Sequence, residues 1–426
     1  MMGRGVCLAA AALAAVISPG LYATGLDWGG DIRVRFTTLD KIPTEVTGLA
    51  LDQGFNRNRI RLWLDYKPTE DITLRARILN EWRWYDQGRD QAPDNWNPMT
   101  EVLPDELYGE FRNLADGKFS IKAGRQKVKY GTGKIFVDGT QLDGSRTEFL
   151  DGAKVSFTTA QQQIDLLAFY SAKQPKPVIN DQNRDLNGFN SKVFGLYGTS
   201  SQFEQFPFEY YYVYKKEDDS PTSIGVREDA RFHTFGGRVM PKFGQGFAGN
   251  LEVAYQSGDH EIEDIEGMLL DLTLSYSPEI WGSLKPKFSA GYYYLSGDDQ
   301  NSDKNESWHP VYSYIPQLGE MQGYSYVGSQ YGPFGWSNQN SPWVGLDLKP
   351  FKDAHLLLRY FKLQADEDDG PGSGTDRGNS FWALLLYKIT PKLSGHLWAE
   401  YIYTGNYYTE DADDGLFARV HFEYKF

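Results

Sequence analysis

The sequence has little cysteine and no long apolar run. A membrane-spanning helix needs roughly 18 or more consecutive apolar residues, and no stretch of this chain reaches that length. The single cysteine, Cys7, lies in an N-terminal apolar segment, so the rest of the chain can build neither a disulfide scaffold nor a thiolate site. With a mean hydropathy of −0.53, any membrane-spanning structure must therefore come from half-apolar β-strands.

The first 25 residues have the pattern of a secretory signal peptide. Arg4 supplies a basic start, residues 6–17 form an alanine-rich apolar segment, and Ala23-Thr24-Gly25 offers a cleavage site between small residues. We place cleavage after Ala23 or Gly25. We therefore expect residues 1–25 to be removed on export and residues 26–426 to form a single domain.

The last eleven residues alternate between two kinds of side chain. Even positions are apolar: Leu416, Ala418, Val420, Phe422, Tyr424 and Phe426. Odd positions are mainly polar: Phe417, Arg419, His421, Glu423 and Lys425. Successive residues of a strand point to opposite faces, so this segment fits a strand with one face toward lipid and the other toward a water-filled lumen.

The same alternation recurs along the chain and predicts eighteen strands. We place them at 28–39, 55–67, 72–85, 105–114, 118–130, 149–159, 163–173, 191–200, 206–216, 230–241, 247–257, 267–277, 284–296, 342–350, 354–365, 379–389, 392–404 and 416–426. Short turns and long loops alternate between them. The pattern predicts an all-β fold, a transmembrane antiparallel up-and-down β-barrel of about eighteen strands, with the short turns and both termini on the periplasmic side.

Arginines concentrate in the first three predicted strands, always at the polar positions. Six of them are Arg33, Arg35, Arg59, Arg61, Arg75 and Arg77. An arginine facing the bilayer midplane costs roughly 2–4 kcal/mol in a barrel, so we expect all six to face the lumen. Other cations share the inward register, among them Arg112, Lys122, Lys154, Arg359 and Arg419.

Two interpretations of these lumen cations stay open. The inward acids look too few to neutralise them, and unpaired clusters would make an anion-selective pore. Arginine suits this task because its planar fork binds carboxylates bidentately. Alternatively, each arginine pairs with an inward Asp or Glu and only stiffens the wall.

Two neighbouring segments carry a family resemblance. They read GRQKVKYG at 124–131 and RTEFLDGAKV at 146–155, and they resemble the alginate export family of bacterial outer-membrane porins. The resemblance implies passive export of an anionic polysaccharide through an arginine-lined lumen. It also implies constriction roles for Arg125, Arg146, Asp151 and Lys154. Because Arg125 falls in the lipid-facing register of a regular strand, we expect a bulge near Gly124 to turn it inward.

The loop at 297–341 is rich in aromatic residues, separated by Gly, Ser, Asn and Gln. They are Trp308, Tyr312, Tyr314, Tyr324, Tyr326, Tyr331, Phe334 and Trp336. Aromatic faces stack on sugar rings, and the polar groups bond sugar hydroxyls. The loop either folds into the pore and constricts it, or packs on itself outside the barrel.

These features together predict a Gram-negative outer-membrane channel for an anionic, alginate-like polysaccharide or oligosaccharide. The alternative is a general or neutral-sugar uptake porin. The six histidines form no recognisable catalytic motif with a serine, so we expect no enzyme, and no cofactor or metal site. The expected partners are the saccharide, the bilayer with its lipopolysaccharide, and the barrel-assembly machinery through the C-terminal strand, but no nucleic acid.

Overall fold

The computed structural model describes residues 25–91, 101–137, 149–180, 189–222, 225–227, 229–260, 263–313, 318–325 and 336–426. Except for Gly25, the predicted signal peptide lies outside these residues. Eighteen long strands form the wall: β1 Leu26–Pro43, β2 Ala50–Thr69, β3 Ile72–Gln87, β4 Leu103–Asn113, β5 Phe119–Gln126, β6 Leu150–Thr158, β7 Gln162–Ser171, β8 Ser191–Ser200, β9 Phe208–Glu217, β10 Ala230–Val239, β11 Phe247–His260, β12 Met268–Tyr276, β13 Lys287–Leu295, β14 Gln339–Leu348, β15 Ala354–Gln364, β16 Asp376–Lys388, β17 Leu393–Thr404 and β18 Gly415–Lys425.

Each wall strand pairs antiparallel with the next, and β18 returns to pair with β1. In this closing seam Ile32 lies opposite Tyr424, and Val34 lies opposite Phe422. Closure leaves no sheet edge with unpaired backbone groups, which is the condition for crossing a bilayer with strands. The structure therefore confirms the predicted all-β, eighteen-strand, up-and-down barrel.

All eighteen predicted strands overlap observed ones, and β5 ends four residues before its predicted end. The prediction ran to Tyr130, whereas the strand ends at Gln126. Lys127-Val128-Lys129-Tyr130 keeps an alternating pattern, but these residues leave the wall and enter the barrel. There Val128 and the ring of Tyr130 pack among the buried apolar side chains inside the barrel. The alternation here therefore arises from this packing and does not mark a continuing strand.

The two faces of the wall have opposite chemistry. On the outer face, Ile32, Leu397 and Phe422 are 43%, 52% and 42% exposed. On the inner face, Arg33 and Arg59 are 0% and 1% exposed. Apolar side chains outside and charged side chains inside reverse the order of a water-soluble protein, and lipid is the solvent that makes this arrangement favourable.

The two ends of the barrel differ in their connections. One end, called here the turn end, carries short connections such as the four-residue turn Leu114–Gly117 between β4 and β5. The opposite end, the loop end, carries the long connections, including those between β5 and β6 and between β13 and β14. Within the described segments, no helix has both the length and the apolar character that crossing a membrane requires.

Most of the hydrophobic core lies inside the barrel, where two loops fold between the walls. The β5–β6 loop contributes Phe136, and the β13–β14 loop contributes Val311, Tyr312 and Trp336, all almost completely buried. These loops turn what would be a wide water-filled tube into a partly filled one, and their positions define the candidate site.

Candidate functional site

The six arginines of β1–β3 lie on the inner face of the wall, in the register that the alternation predicts. Ile32 and Ile60 between them are exposed on the outside, while Arg33, Arg35 and Arg59 are almost completely buried. Their burial means that the surrounding wall and loops cover them, so their counter-charges must come from the protein itself.

Glu81 of β3 is the counter-charge of two of these arginines. Its carboxylate accepts from the Arg33 guanidinium at 2.6 Å and from Arg57 at 2.8 Å. Arg57 shares the inner face of β2 and was not among the predicted site residues. One carboxylate thus serves two guanidiniums, in charge-assisted hydrogen bonds that are stronger than neutral ones.

Asp31 of β1 has the same role toward the turn end. It accepts from Arg59 at 2.9 Å and from Arg61 at 2.7 Å. Arg59 also donates to Glu423 of β18 at 2.7 Å. The network therefore crosses the closing seam and ties the first strand, the second strand and the last one together.

A bulge supplies two further carboxylates from β4. The β3–β4 ladder shifts by one residue between Arg77 and Ile78, so Asp105 is extra in the pairing. As a result the consecutive residues Asp105 and Glu106 both turn inward, at 2.8 Å and 3.0 Å from Arg77. Strict alternation would place one of these two side chains toward lipid, so the sequence alone does not predict two consecutive inward acids here.

The contacts therefore match the interpretation in which arginines stiffen the wall, yet this part of the wall keeps a positive excess. On β18 and β1–β4 the inward cations are Arg33, Arg35, Arg57, Arg59, Arg61, Arg75, Arg77, Arg83, Arg112, Arg419 and Lys425. The inward carboxylates of the same strands are Asp27, Asp31, Asp65, Glu81, Asp105, Glu106, Glu110 and Glu423. Eleven cations face eight acids on five adjacent strands.

Replacing Glu81 by glutamine is expected to destabilise the barrel by about 3–5 kcal/mol, because it leaves two buried guanidiniums without their charge partner. The matched control is Glu110→Gln. Glu110 pairs with Arg112 at 3.1 Å, but the two side chains are 29% and 39% exposed, and such a pair contributes about 0–1 kcal/mol. Urea unfolding in lipid vesicles measures both. Equal losses for the two variants would contradict the assignment of Glu81.

Other predicted cations also lie on the inner face. Lys122 of β5 places its ammonium 3.9 Å from the ring centroid of Tyr108. Lys154 of β6 lies 3.4 Å from Asp165. Both side chains are half-buried, and the Lys154 ammonium lies 6.0 Å from the ring centroid of Tyr130, a residue of the β5–β6 loop.

Arg359 of β15 occupies the opposite wall. It pairs with Asp347 at 2.5 Å, and its guanidinium lies 5.6 Å from the ring centroids of both Trp343 and Trp382. This wall segment combines one cation with two large aromatic faces, so it can present both charge and stacking surface to the lumen.

The structure corrects the predicted placement of Arg125 and Asp151. The pairing of β5 with β4 and β6 runs without an inserted residue past Gly124, so the expected bulge is absent. Arg125 lies opposite Leu107, which is exposed on the outer face. Its guanidinium forms two bonds of 2.7 Å to Asp151 and one of 2.7 Å to the carbonyl of Lys176.

The Arg125–Asp151 pair therefore lies in the outer register near the loop end, where the ring of Phe149 and the backbone of the β7–β8 connection cover it. Its position does not support a constriction role. Arg146, the fourth residue implied by the resemblance, lies outside the described residues.

The β13–β14 loop is fixed to the wall by a pair of acids. Glu400 of β17 accepts the backbone N–H groups of Glu320 and Met321 at 2.7 Å and 2.9 Å. The Glu320 side chain in turn pairs with Arg419 of β18 at 2.8 Å. All of these groups are buried, so the loop sits inside the barrel, against the arginine-rich wall.

The same loop contacts the far wall through backbone carbonyls. Lys215 of β9 donates to the carbonyls of Pro310 and Val311 at 3.1 Å and 2.6 Å. Gln256 of β11 donates to the carbonyl of His309 at 2.7 Å. Of the two arrangements expected for the aromatic loop, the described residues show the one inside the barrel. Tyr314, Tyr326, Tyr331 and Phe334 lie outside the described residues.

The β5–β6 loop fills another sector of the lumen. Tyr130 donates to Asp165 at 2.6 Å and stacks on Tyr197 with ring centroids 4.0 Å apart. Lys134 lies 3.7 Å from the ring centroid of Tyr293 and 3.9 Å from Asp271. Burial lowers the pKa of Lys134, and the nearby carboxylates only partly oppose this shift.

Over the described ranges, no three His, Asp or Glu side chains converge as a metal site requires. The described side chains that face the lumen include guanidinium and ammonium groups, carboxylates that share them, and tyrosine and tryptophan rings. These groups can form charge-assisted hydrogen bonds and stacking contacts with polar solutes.

A closed barrel with an apolar outer face, a charged interior and loops folded into its lumen is an outer-membrane channel. A family model described as alginate export matches residues 25–376. The chain therefore belongs to the alginate export family, as the resemblance in the sequence indicated. Its localisation is the outer membrane, and its fold and family indicate a channel.

Solved structures with the same fold share little sequence with this chain. Pseudomonas aeruginosa OccK5 (OpdH) is 14% identical with a TM-score of 0.59, covering 94% of this chain and 98% of its own. Pseudomonas aeruginosa OpdK, solved with vanillate, is 12% identical with a TM-score of 0.59 and the same coverage of both chains. OccD3 (OpdP) of the same organism is 10% identical with a TM-score of 0.56, covering 95% and 91%. No curated protein matches this chain.

Proposed function

We propose that this protein is a passive outer-membrane channel for an anionic, alginate-like polysaccharide or oligosaccharide. The observation that carries the proposal is the wall formed by β18 and β1–β4, where eleven inward cations face eight inward carboxylates. A low-dielectric wall focuses such an excess into the water column and raises the local concentration of anions.

The shared carboxylates explain how a bound anion could still move. A uronate carboxylate can approach Arg61, whose side chain is 13% exposed and already pairs with Asp31. Asp31 stays in place, and its negative charge opposes the bound anion, so the anion is held weakly. Binding of this kind favours entry and still permits release, as conduction requires.

We propose that the turn end and both chain termini face the periplasm, because bacterial outer-membrane barrels place short turns there. The alternating final strand β18, with its outward Phe422 and Tyr424, is then available to the barrel-assembly machinery from the periplasmic side. The loop end, with its acidic connections, faces the outside.

The test is single-channel recording in a planar bilayer with a salt gradient. We expect the reversal potential to lie toward the equilibrium potential of the anion. We also expect short polyuronates to block the single-channel current in a concentration-dependent way. Neutral oligosaccharides of equal length should block much less, because they carry no charge to pair with the wall cations. A cation preference, or equal block by both saccharides, would refute the proposal.

A neutral-sugar porin is the second candidate, and one observation favours it. Trp343 and Trp382 are half-buried on the inner face of the wall, and their ring centroids both lie 5.6 Å from the Arg359 guanidinium. Aromatic faces bind sugar rings whatever their charge. Under this function Trp343→Ala would weaken block by neutral oligosaccharides, whereas the leading proposal predicts no such change.

A further inference from the structure

Three cations lie side by side on the outer face of the barrel, outside the lumen. Lys192 of β8 is the cross-strand partner of Lys216 of β9, which is in turn the partner of Arg231 of β10. Like charges directly opposite each other destabilise a sheet. A row of three adjacent cations is therefore favourable only where an external anion offsets it.

The register fixes the direction of these side chains. Val193, Val213 and Phe232 alternate with them and are completely buried on the inner side. The positions two residues away on the same face, Phe194 and His233 among them, belong to the exposed or half-exposed outer set. Lys192, Lys216 and Arg231 therefore project toward the surroundings of the barrel.

Their height on the wall matches the level of lipid headgroups. The row below, toward the turn end, consists of Phe194, Tyr214 and His233. Aromatic rings of this kind mark the boundary between hydrocarbon and headgroups. The cations lie two residues farther toward the loop end, roughly 7 Å along the strand.

The protein itself supplies little counter-charge. Lys216 lies 3.4 Å from Asp218, and both side chains are well exposed at 39% and 40%. Within the described part of the chain, Lys192 and Arg231 form no ion pair, although Asp259 is the cross-strand neighbour of Arg231. The row keeps an excess of positive charge at a place where lipid phosphates would lie.

We propose that Lys192, Lys216 and Arg231 form a binding site for the phosphate groups of a phosphorylated glycolipid of the lipid A type. Its acyl chains would run along the aromatic and apolar surface below, over Phe194 and Phe235. The occupant is a lipid, because the cations that would bind its phosphates are continuous with the apolar surface that would contact its acyl chains. The inference uses the orientation proposed above but does not depend on which solute passes through the lumen.

The experiment is native mass spectrometry of the detergent-solubilised protein with bis-phosphorylated lipid A and with the same lipid after dephosphorylation. We expect the phosphorylated lipid to bind the unaltered protein and the dephosphorylated lipid to bind far more weakly. The triple variant K192Q/K216Q/R231Q should bind the phosphorylated lipid about a hundredfold more weakly, at roughly fivefold for each cation near an anionic surface.

The matched control is K67Q/K242Q/K352Q, which removes the same charge from exposed lysines at the turn end and should bind like the unaltered protein. Equal binding of the two lipids, or unchanged binding by K192Q/K216Q/R231Q, would overturn the proposal. So would full competition by inorganic phosphate at the lipid's concentration, which would indicate a general anion site. The comparison of the two lipids on unaltered protein stands even if a variant does not fold.

Discussion

Replacing Glu400 by alanine is expected to release the β13–β14 loop from the wall and raise single-channel conductance. Glu400 accepts two backbone N–H groups, at 2.7 Å and 2.9 Å, and no other described side chain replaces it. Leaving two buried donors unsatisfied costs about 2–6 kcal/mol. Since 1.4 kcal/mol is a factor of ten, the balance between the loop inside the barrel and the loop displaced from it should shift by tenfold or more.

The glutamine variant of the same residue serves as the graded control. Glu400→Gln keeps one of the two acceptor oxygens, and its NH2 group, which only donates, takes the place of the other. Its conductance should therefore lie between those of the unaltered protein and Glu400→Ala. Protease cleavage in the loop should follow the same order. If the alanine variant conducts like the unaltered protein, the loop is held by its other contacts, and Glu400 has no anchoring role.

The second large effect is expected from the double variant Arg75→Gln, Arg77→Gln. It removes two of the eleven inward cations and leaves Asp65, Asp105 and Glu106 without these partners. The positive excess of this wall falls from three to one. About two thirds of the anion preference should be lost, and the reversal potential in a salt gradient should move toward the equilibrium potential of the cation.

A variant that also carries Asp65→Asn and Glu106→Gln restores the original excess and should restore the reversal potential. This control separates loss of charge from distortion of the wall, because the distortion would persist in the fourfold variant. A reversal potential that stays unchanged in the double variant would show that these arginines act only on the stability of the wall.

Alternation alone was sufficient to predict the eighteen strands, because every residue of a barrel strand meets either lipid or the interior. The β8 prediction, residues 191–200, coincides with the observed strand. The inward direction of Arg33 and Arg59 follows from the same rule, since an arginine in lipid is costly.

The balance of charge could not be predicted in the same way. Asp105 and Glu106 face inward together only because of a bulge, and one inserted residue leaves no clear signal in a single sequence. The predicted placement of Arg125 was wrong for the opposite reason, because a bulge was expected where the ladder is regular. Glu320 was missed because its partner Arg419 lies 99 positions away and is reached only when the loop folds inward.

The seam between β1 and β18 sets a condition on how this molecule is made. Arg35 and His421 meet across it although they are 386 positions apart in the chain. Joining such distant segments costs conformational entropy before the contacts between them can form and offset that cost. Until the final strand arrives, the first one exposes a bare row of amide and carbonyl groups. The nascent polypeptide therefore needs protection from aggregation for as long as its two ends remain apart.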